Sequence, residues 1–548
     1  MDRKFIIGTR GSDLALWQAN HVKDRLQAIG IEAELKVIKT QGDYIQHLRL
    51  DKLEGKGFFT KELEEELLSG EIDIAVHSHK DLPTIHPPGL TIAAVSERED
   101  PAELLIILKD CVDSKKRLSL KHHATVGTSS NRRRAQLLAF RPDLEIEDLR
   151  GNVNTRLQKL RDEKYDAIML AKAGVERLAL DLSEFHVEVI PPNEIIPAPA
   201  QGVLAIQIRE IDHELRQILQ QIHQPDVAEV IGVERKVLNL FEGGCHMPLG
   251  CYCRKTPDGQ IEVWTAKAKD GESFPSRLYL RADATEGLAE KIKSKFDSTR
   301  NLPRSVFITR ELAESSFLRK SLANHHMAID ARSLIKVFPI INTLDPYILK
   351  YVRWVFFSSK NGIEHFFRLN PRLSKHVQYA VVGRGSEEAL RSYGIIPAFT
   401  GEAEGIEMEK VGDAFAAVAA GSTVLFPRAK GSLKTIQSRL TADTKVIDLP
   451  VYETIIEEHV EGSGADVLIF TSPTNVEAYF KDNLLEPGQC IISIGNSTGR
   501  KLAEMGLTFH LPFSPDEVGL AEAVFGMDGK NTSSSGNDPI PETVTPLL

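Results

Sequence analysis

The residues Ile72-Asp73-Ile74-Ala75-Val76-His77-Ser78-His79-Lys80-Asp81-Leu82-Pro83 decide how the first part of the chain is read. The near-continuous apolar run at its start predicts a strand buried in a parallel sheet. The chain then changes character: two histidines, a serine, Lys80 beside Asp81, and Pro83 to end it. Open α/β sheets bind ligands just outside the carboxyl ends of their strands. A lysine and an aspartate there can hold an anion and handle a developing cation at adjacent points. A solvated loop with an incidental ion pair is the competing reading, and these twelve residues alone do not exclude it.

Upstream, Lys4 to Thr9 reads as a strand, and Leu14, Trp17, Val22, Leu26 and Ile29 recur at helical spacing until Gly30. Arg10 and Ser12 then lie at a helix N-terminus, where backbone N–H groups favour an anion, although Ser12 also suits plain capping. The connection Gly55-Lys56-Gly57-Phe58-Phe59-Thr60-Lys61 lacks the spacing of a nucleotide-binding loop. Downstream, the pattern of strand, turn and helix start occurs three times. The first brings Ser129 with Arg132 and Arg133, the second Arg150 and Arg156, the third Arg177. Arginines delivered at three successive strand ends point to a polyanionic ligand.

Pro197 to Gly202 returns the chain to a strand at Val203 to Ile208, which suggests two lobes with a cleft. An amphipathic helix, Val227 to Leu240, ends at Phe241-Glu242-Gly243-Gly244-Cys245-His246-Met247-Pro248. Three readings of Cys245 stay open: a zinc site with His246, Cys251 and Cys253, an inert buried thiol, or a nucleophile or attachment point.

At 548 residues the chain suggests roughly three to five domains. A formal charge of −10 argues against nucleic acid as a partner. No apolar run is long enough to span a membrane, and the opening residues enter a strand directly, so no signal peptide is expected. Five cysteines in so long a chain do not make a disulfide framework, so a cytoplasmic protein is expected.

The stretch from His77 to Pro83, Gly127-Thr128-Ser129-Ser130 with its arginines, Arg150-Gly151-Asn152 and Gly243-Gly244-Cys245 occur in this order. Together they closely resemble porphobilinogen deaminase (hydroxymethylbilane synthase) over about residues 3 to 300. Departures are His79 where methionine is usual, Asn131 where leucine is usual, and His246 where glutamine is usual. The resemblance implies two lobes like periplasmic binding proteins plus a small α+β domain, and a dipyrromethane cofactor joined by thioether to Cys245. It also implies that Lys80, Asp81, Ser129, Arg132 and Arg133 bind that cofactor. Arg10, Ser12, Arg150, Arg156 and Arg177 would bind the acetate and propionate groups of a growing pyrrole chain. Asp81 would be the catalytic acid, steadying the cation that forms when porphobilinogen loses ammonia to give an azafulvene. No metal is implied.

A pattern break at residues 297 to 304 precedes a second half with an internal repeat. Phe357-Ser358-Ser359 parallels Phe470-Thr471-Ser472, and Val382-Gly383-Arg384-Gly385-Ser386 parallels Ile494-Gly495-Asn496-Ser497-Thr498. Each copy reads as strand, hydroxyl-rich turn and helix, then strand, glycine turn and helix. That predicts two doubly wound α/β lobes aiming helix N-termini at one cleft. With Leu449-Pro450-Val451-Tyr452-Glu453-Thr454, this half resembles uroporphyrinogen-III synthase over about residues 304 to 526. Ser359, Ser472 and Thr498 are candidate substrate contacts. Tyr452 either donates a proton to a departing hydroxyl or packs where two lobes meet.

The expected domains are 1–98 with 196–217, 99–195, 218–300 carrying the cofactor cysteine, 304–340 with 453–527, 341–452, and a disordered tail at 528–548. The resemblances imply a bifunctional enzyme taking porphobilinogen to uroporphyrinogen III through hydroxymethylbilane. Two rivals remain: a deaminase with a non-catalytic partner domain, and a two-lobed carboxylate-binding protein without catalysis.

Overall fold

A computed structural model describes residues 4–39, 60–242, 247–298, 302–341, 346–401 and 408–527. The Gly55–Phe59 part of the glycine-rich connection, the Gly243–His246 loop with Cys245, and the tail from Asp528 lie outside the described residues. The chain divides into two compact units, Met1–Val112 with Leu120–Asp297, and Asp113–Ser119 with Ser298–Leu548. Among the described residues no helix is long and apolar enough to cross a membrane.

In the first unit, Ile74–Ser78 is the middle strand of five, in the order Ala33–Val37, Phe5–Thr9, Ile74–Ser78, Leu204–Arg209, Leu90–Val95. Its apolar residues divide between the two faces. Ile74 and Val76 pack with Ala19, Val22 and Leu26 of helix Asp13–Ala28, while Ala75 packs with Leu63 and Leu67 of helix Lys61–Ser69. Burial on both faces explains the unbroken apolar run. The expectation of a parallel sheet needs correction. Ile74–Ser78 is parallel to Phe5–Thr9 but antiparallel to Leu204–Arg209, because the chain returns to this sheet from the opposite end.

The second sheet repeats this plan in the order Glu145–Glu147, Thr125–Gly127, Ala167–Ala171, Glu103–Ile107, His186–Ile190. Its first three strands are parallel and Glu103–Ile107 runs against both neighbours. In each sheet the inserted strand therefore starts where its antiparallel neighbour from the parallel set ends. Leu204 lies opposite Ser78, and Glu103 lies opposite Ala171. This topology brings Glu103 and the Gln201–Val203 approach to the edge where the parallel strands deliver their polar turns. A three-stranded antiparallel sheet, Leu249–Lys255, Ile261–Lys267 and Ser276–Ala282, packs with helices Pro225–Leu240 and Leu288–Asp297.

The second unit holds two sheets. One is wholly parallel, ordered Ala328–Ala331, Ser305–Ile308, Val467–Phe470, Cys490–Ser493. The other has six strands, ordered Ile335–Pro339, Lys445–Ile456, Thr423–Ala429, Trp354–Phe357, Gln378–Val381, Phe399–Thr400. Only Ile335–Pro339 in it is antiparallel. The repeat is visible in the helix starts. Ser359 caps helix Lys360–Arg368 and Ser472 caps helix Pro473–Asp482, each accepting from the backbone N–H three residues on. Gly383 and Gly495 occupy the corresponding place before helices Arg384–Arg391 and Asn496–Glu504.

Candidate functional site

At the end of strand Ile74–Ser78 the chain makes a single turn of 3₁₀ helix, His79–Asp81, closed by the Leu82 N–H on the His79 carbonyl at 3.3 Å. His77 and His79 are buried behind it, and burial first, then neighbouring cations, holds their imidazoles down at about 4 and about 3. Both are neutral near pH 7, so the turn's charge resides in Lys80 and Asp81. Lys80 directs its ammonium to the Gln201 side chain at 3.3 Å, and Gln18 donates to the Ser78 hydroxyl at 2.8 Å.

Beside this turn lies a cavity of about 110 Å³ whose wall includes Lys80, Arg133, Arg156 and Arg177, together with Gln18, Ser78 and Gln201. The first sheet supplies Lys80 and the three strand ends of the second sheet supply the arginines. Burial lowers the pKa of Lys80 while Asp81 draws it back up. Burial also lowers Arg156, with Arg133 adding to the effect and Asp81 opposing it, to about 10. Arg177 is likewise lowered by burial. It donates to the Gly202 carbonyl at 2.7 Å, lies over the Trp17 ring at 5.5 Å, and keeps a buried Nε with no acceptor among the described residues. Desolvated cations crowded at one edge gain most from an arriving polyanion.

The other candidates are placed differently. Asp81 is exposed, and its charge acts on Lys80 and Arg156. Arg150 sits close enough to Arg156 to lower it. Arg132 is not in the cavity wall. It and Arg133 both grip Glu103, a fully buried carboxylate. Glu103 Oε1 accepts from Arg132 at 2.8 Å and from Arg133 Nε at 3.1 Å, and its Oε2 accepts from Arg133 at 2.6 Å. Burial alone would raise Glu103; Arg133 and Arg132 outweigh it and hold the carboxyl at about 2. The Ser129 hydroxyl donates to the Leu149 carbonyl at 2.9 Å, and the Ser12 hydroxyl caps helix Asp13–Ala28. Arg10 lies near enough to His77 to lower it.

Glu103 and Gln201 escaped the reading of motifs. A lone carboxylate opening the apolar run Glu103–Ile107 is the signal that finds the first. Gln201 carries no comparable signal. Cys245 lies outside the described residues. Of the other thiols, burial raises Cys251 and Cys253 well up and Cys111 to about 11, which makes all three poor nucleophiles.

In the second unit, Tyr452 is buried on strand Lys445–Ile456, next to a register shift in its pairing with strand Thr423–Ala429. Its hydroxyl is 3.1 Å from that of Ser359, and its ring stacks on His365 at 5.5 Å. Burial raises the phenol and the Ser359 bond offsets part of that. Ser472 and the almost fully buried Thr498 lie at the ends of the other sheet. Sequence reading missed Thr309, whose hydroxyl is 3.2 Å from that of Thr471 at the same sheet edge.

Dipyrromethane carries four carboxylates, and the cavity's cations with the unsatisfied Arg177 Nε fit such a group. Comparison with known proteins agrees with this chemistry. Residues 5–217 match the family model described as porphobilinogen deaminase, dipyromethane cofactor binding domain. Residues 285–521 match the one described as uroporphyrinogen-III synthase HemD. The chain is 44% identical over 308 residues to porphobilinogen deaminase of Fusobacterium nucleatum subsp. nucleatum, covering 54% of this chain and 99% of that one. It is 46% identical over 275 residues to the same enzyme of Oceanobacillus iheyensis, covering 49% of this chain and 85% of that one. A solved uroporphyrinogen-III synthetase from Helicobacter pylori 26695 aligns at 19% identity and a TM-score of 0.30, covering 40% of this chain and 98% of that one. The chain belongs to the porphobilinogen deaminase family, with a region of the uroporphyrinogen-III synthase family joined behind it.

Proposed function

We propose that this chain is a bifunctional enzyme of tetrapyrrole synthesis. Its first unit condenses four porphobilinogens into hydroxymethylbilane with release of ammonia. Its second closes that chain with inversion of the last ring, giving uroporphyrinogen III. The observation that carries the reading is the meeting of Lys80, Arg133, Arg156 and Arg177 in one cavity beside the Asp81 turn. In this reading the sheets group as 1–98 with 196–217 and 99–195, two lobes of the periplasmic-binding-protein kind, followed by the cofactor domain 218–300. The synthase lobes are 304–340 with 453–527, and 341–452. Its cysteine usage suits a reducing cytoplasm.

Bound through Cys245, dipyrromethane supplies a tethered primer whose carboxylates pair with the cations. Lys80, Arg156 and Arg177 hold acetate and propionate groups, bidentately where an arginine fork can face a carboxylate, and Arg133, whose fork grips Glu103, adds its charge from the same wall. Arg10, Ser12 and Arg150 extend that surface as rings are added. Arg132 and Ser129 act behind it, Arg132 through Glu103 and Ser129 by fixing the Leu149 carbonyl. Asp81 faces the substrate pyrrole nitrogen, stabilises the positive charge that builds as ammonia departs, and carries the proton. In the second unit, the capped helix starts at Ser359 and Ser472 with Thr498 hold the flexible bilane in the inverting geometry. Tyr452 donates the proton to the departing hydroxyl, with Ser359 as the adjoining hydroxyl.

The intact mass of the purified chain tests the first half. An added dipyrromethane, absent together with deaminase activity in Cys245→Ser, is the expected result. An adduct on Cys111, Cys251, Cys253 or Cys490 would overturn the attachment.

A further inference from the structure

The turn carrying Lys80 and Asp81 is held by a residue distant in sequence. Arg235, on helix Pro225–Leu240, donates from one terminal nitrogen to the Leu82 carbonyl at 2.8 Å and the His79 carbonyl at 3.4 Å. Its other terminal nitrogen donates to the Pro83 carbonyl at 2.5 Å. Those three carbonyls bracket Lys80 and Asp81 on both sides. The turn's own closing bond, at 3.3 Å, is long, so charge-assisted bonds from Arg235 are the stronger constraint on it.

The helix is fixed at the same level. The neighbouring residue, Glu234, is fully buried and takes the Arg98 guanidinium at 2.7 and 3.2 Å. It also accepts the backbone N–H groups of Ala200 at 2.6 Å and Cys253 at 2.7 Å. The helix ends at Leu240, a few residues before Cys245. One anchored helix therefore holds the acid-bearing turn and directly precedes the attachment cysteine in sequence.

We infer that Arg235 is a positioning residue for Asp81, holding the acid-bearing turn in register with helix Pro225–Leu240. The inference rests on the proposed deaminase reading. Arg235 differs from the cavity arginines in lying outside the cavity wall and holding the carbonyls that flank Asp81, so its loss should slow turnover while leaving substrate affinity in place.

The test uses the full chain, with dipyrromethane loading counted by intact mass and ammonia release measured per loaded molecule. Arg235→Ala should lower kcat about a hundredfold and leave KM for porphobilinogen within about threefold, as expected when a reacting group is displaced by about an ångström. Arg235→Lys, whose ammonium cannot span three carbonyls, should lose about tenfold. Millimolar guanidinium, and not sodium chloride at the same concentration, should restore part of the alanine variant's rate. On an Asp81→Asn background, Arg235→Ala should cost no more than about a further twofold, because both changes act through one group. Both variants within about twofold of wild-type kcat, or fully multiplicative losses in the double variant, would overturn the inference. The lysine variant carries the test if the alanine variant does not fold. A wild-type chain that releases no ammonia would instead overturn the deaminase reading.

Discussion

Replacing Glu103 by Gln keeps the side chain's shape and removes the charge on which Arg132 and Arg133 both rest. Three charge-assisted hydrogen bonds, at 2.6, 2.8 and 3.1 Å, meet on a carboxylate with no exposed surface. Holding that carboxyl at about 2 against its ordinary 4.5 corresponds to about 3 kcal/mol at neutral pH. Breaking a buried pair by removing one partner costs about 3–5 kcal/mol, because the stranded charge remains, so the two routes agree. Since folding depresses this pKa, the stabilisation is complete above 4.5 and fades as pH falls toward 2. The variant should therefore be weaker by about 3 kcal/mol at pH 7, with the gap narrowing below pH 4. Amide hydrogen exchange in peptides covering 103–107 and 131–140 of the full chain reads this unit directly. A gap under about 1 kcal/mol at pH 7, or one that does not shrink in acid, would show that Glu103 does not act as a buried charge on the two arginines.

Asp81→Asn should keep fold and cofactor while losing about a thousandfold in turnover; single-turnover rates near wild type would show the wrong residue has been chosen. Arg156→Leu and Arg177→Leu should stall synthesis with covalently bound partial chains, seen as discrete mass increments, and a normal product distribution would contradict the polycarboxylate account. Tyr452→Phe should slow formation of the III isomer about tenfold and more than Ser359→Ala or Ser472→Ala does, with bilane production untouched. Unchanged III-isomer output would leave only the binding-geometry account for the second unit.

Much of the site was legible because its residues stand where local pattern changes. The apolar run into Lys80 and Asp81, and the three strand ends bearing Arg133, Arg156 and Arg177, mark their positions within short stretches. Long-range pairing left weaker marks. Leu204–Arg209 reads as a strand, yet nothing local to it says that it enters antiparallel beside Ile74–Ser78. Glu103 shares that difficulty: its role depends on lying opposite Ala171, a register set by the crossing between lobes. Arg235 was the least visible, since a basic residue on an amphipathic helix ordinarily faces water. Its bonds to the His79, Leu82 and Pro83 carbonyls leave no trace in side-chain identity. In the second unit the repeat foretold the matching strand–turn–helix starts, but not the bond from Ser359 to Tyr452 across 93 residues.

On this account one chain carries porphobilinogen all the way to the inverted macrocycle. Incubating the purified chain with porphobilinogen, oxidising the products and resolving the uroporphyrin isomers tests it most directly. Released ammonia with the III isomer predominating is the predicted result. Bilane is made but left to close unaided if only the symmetrical I isomer appears, and that outcome would contradict the claim.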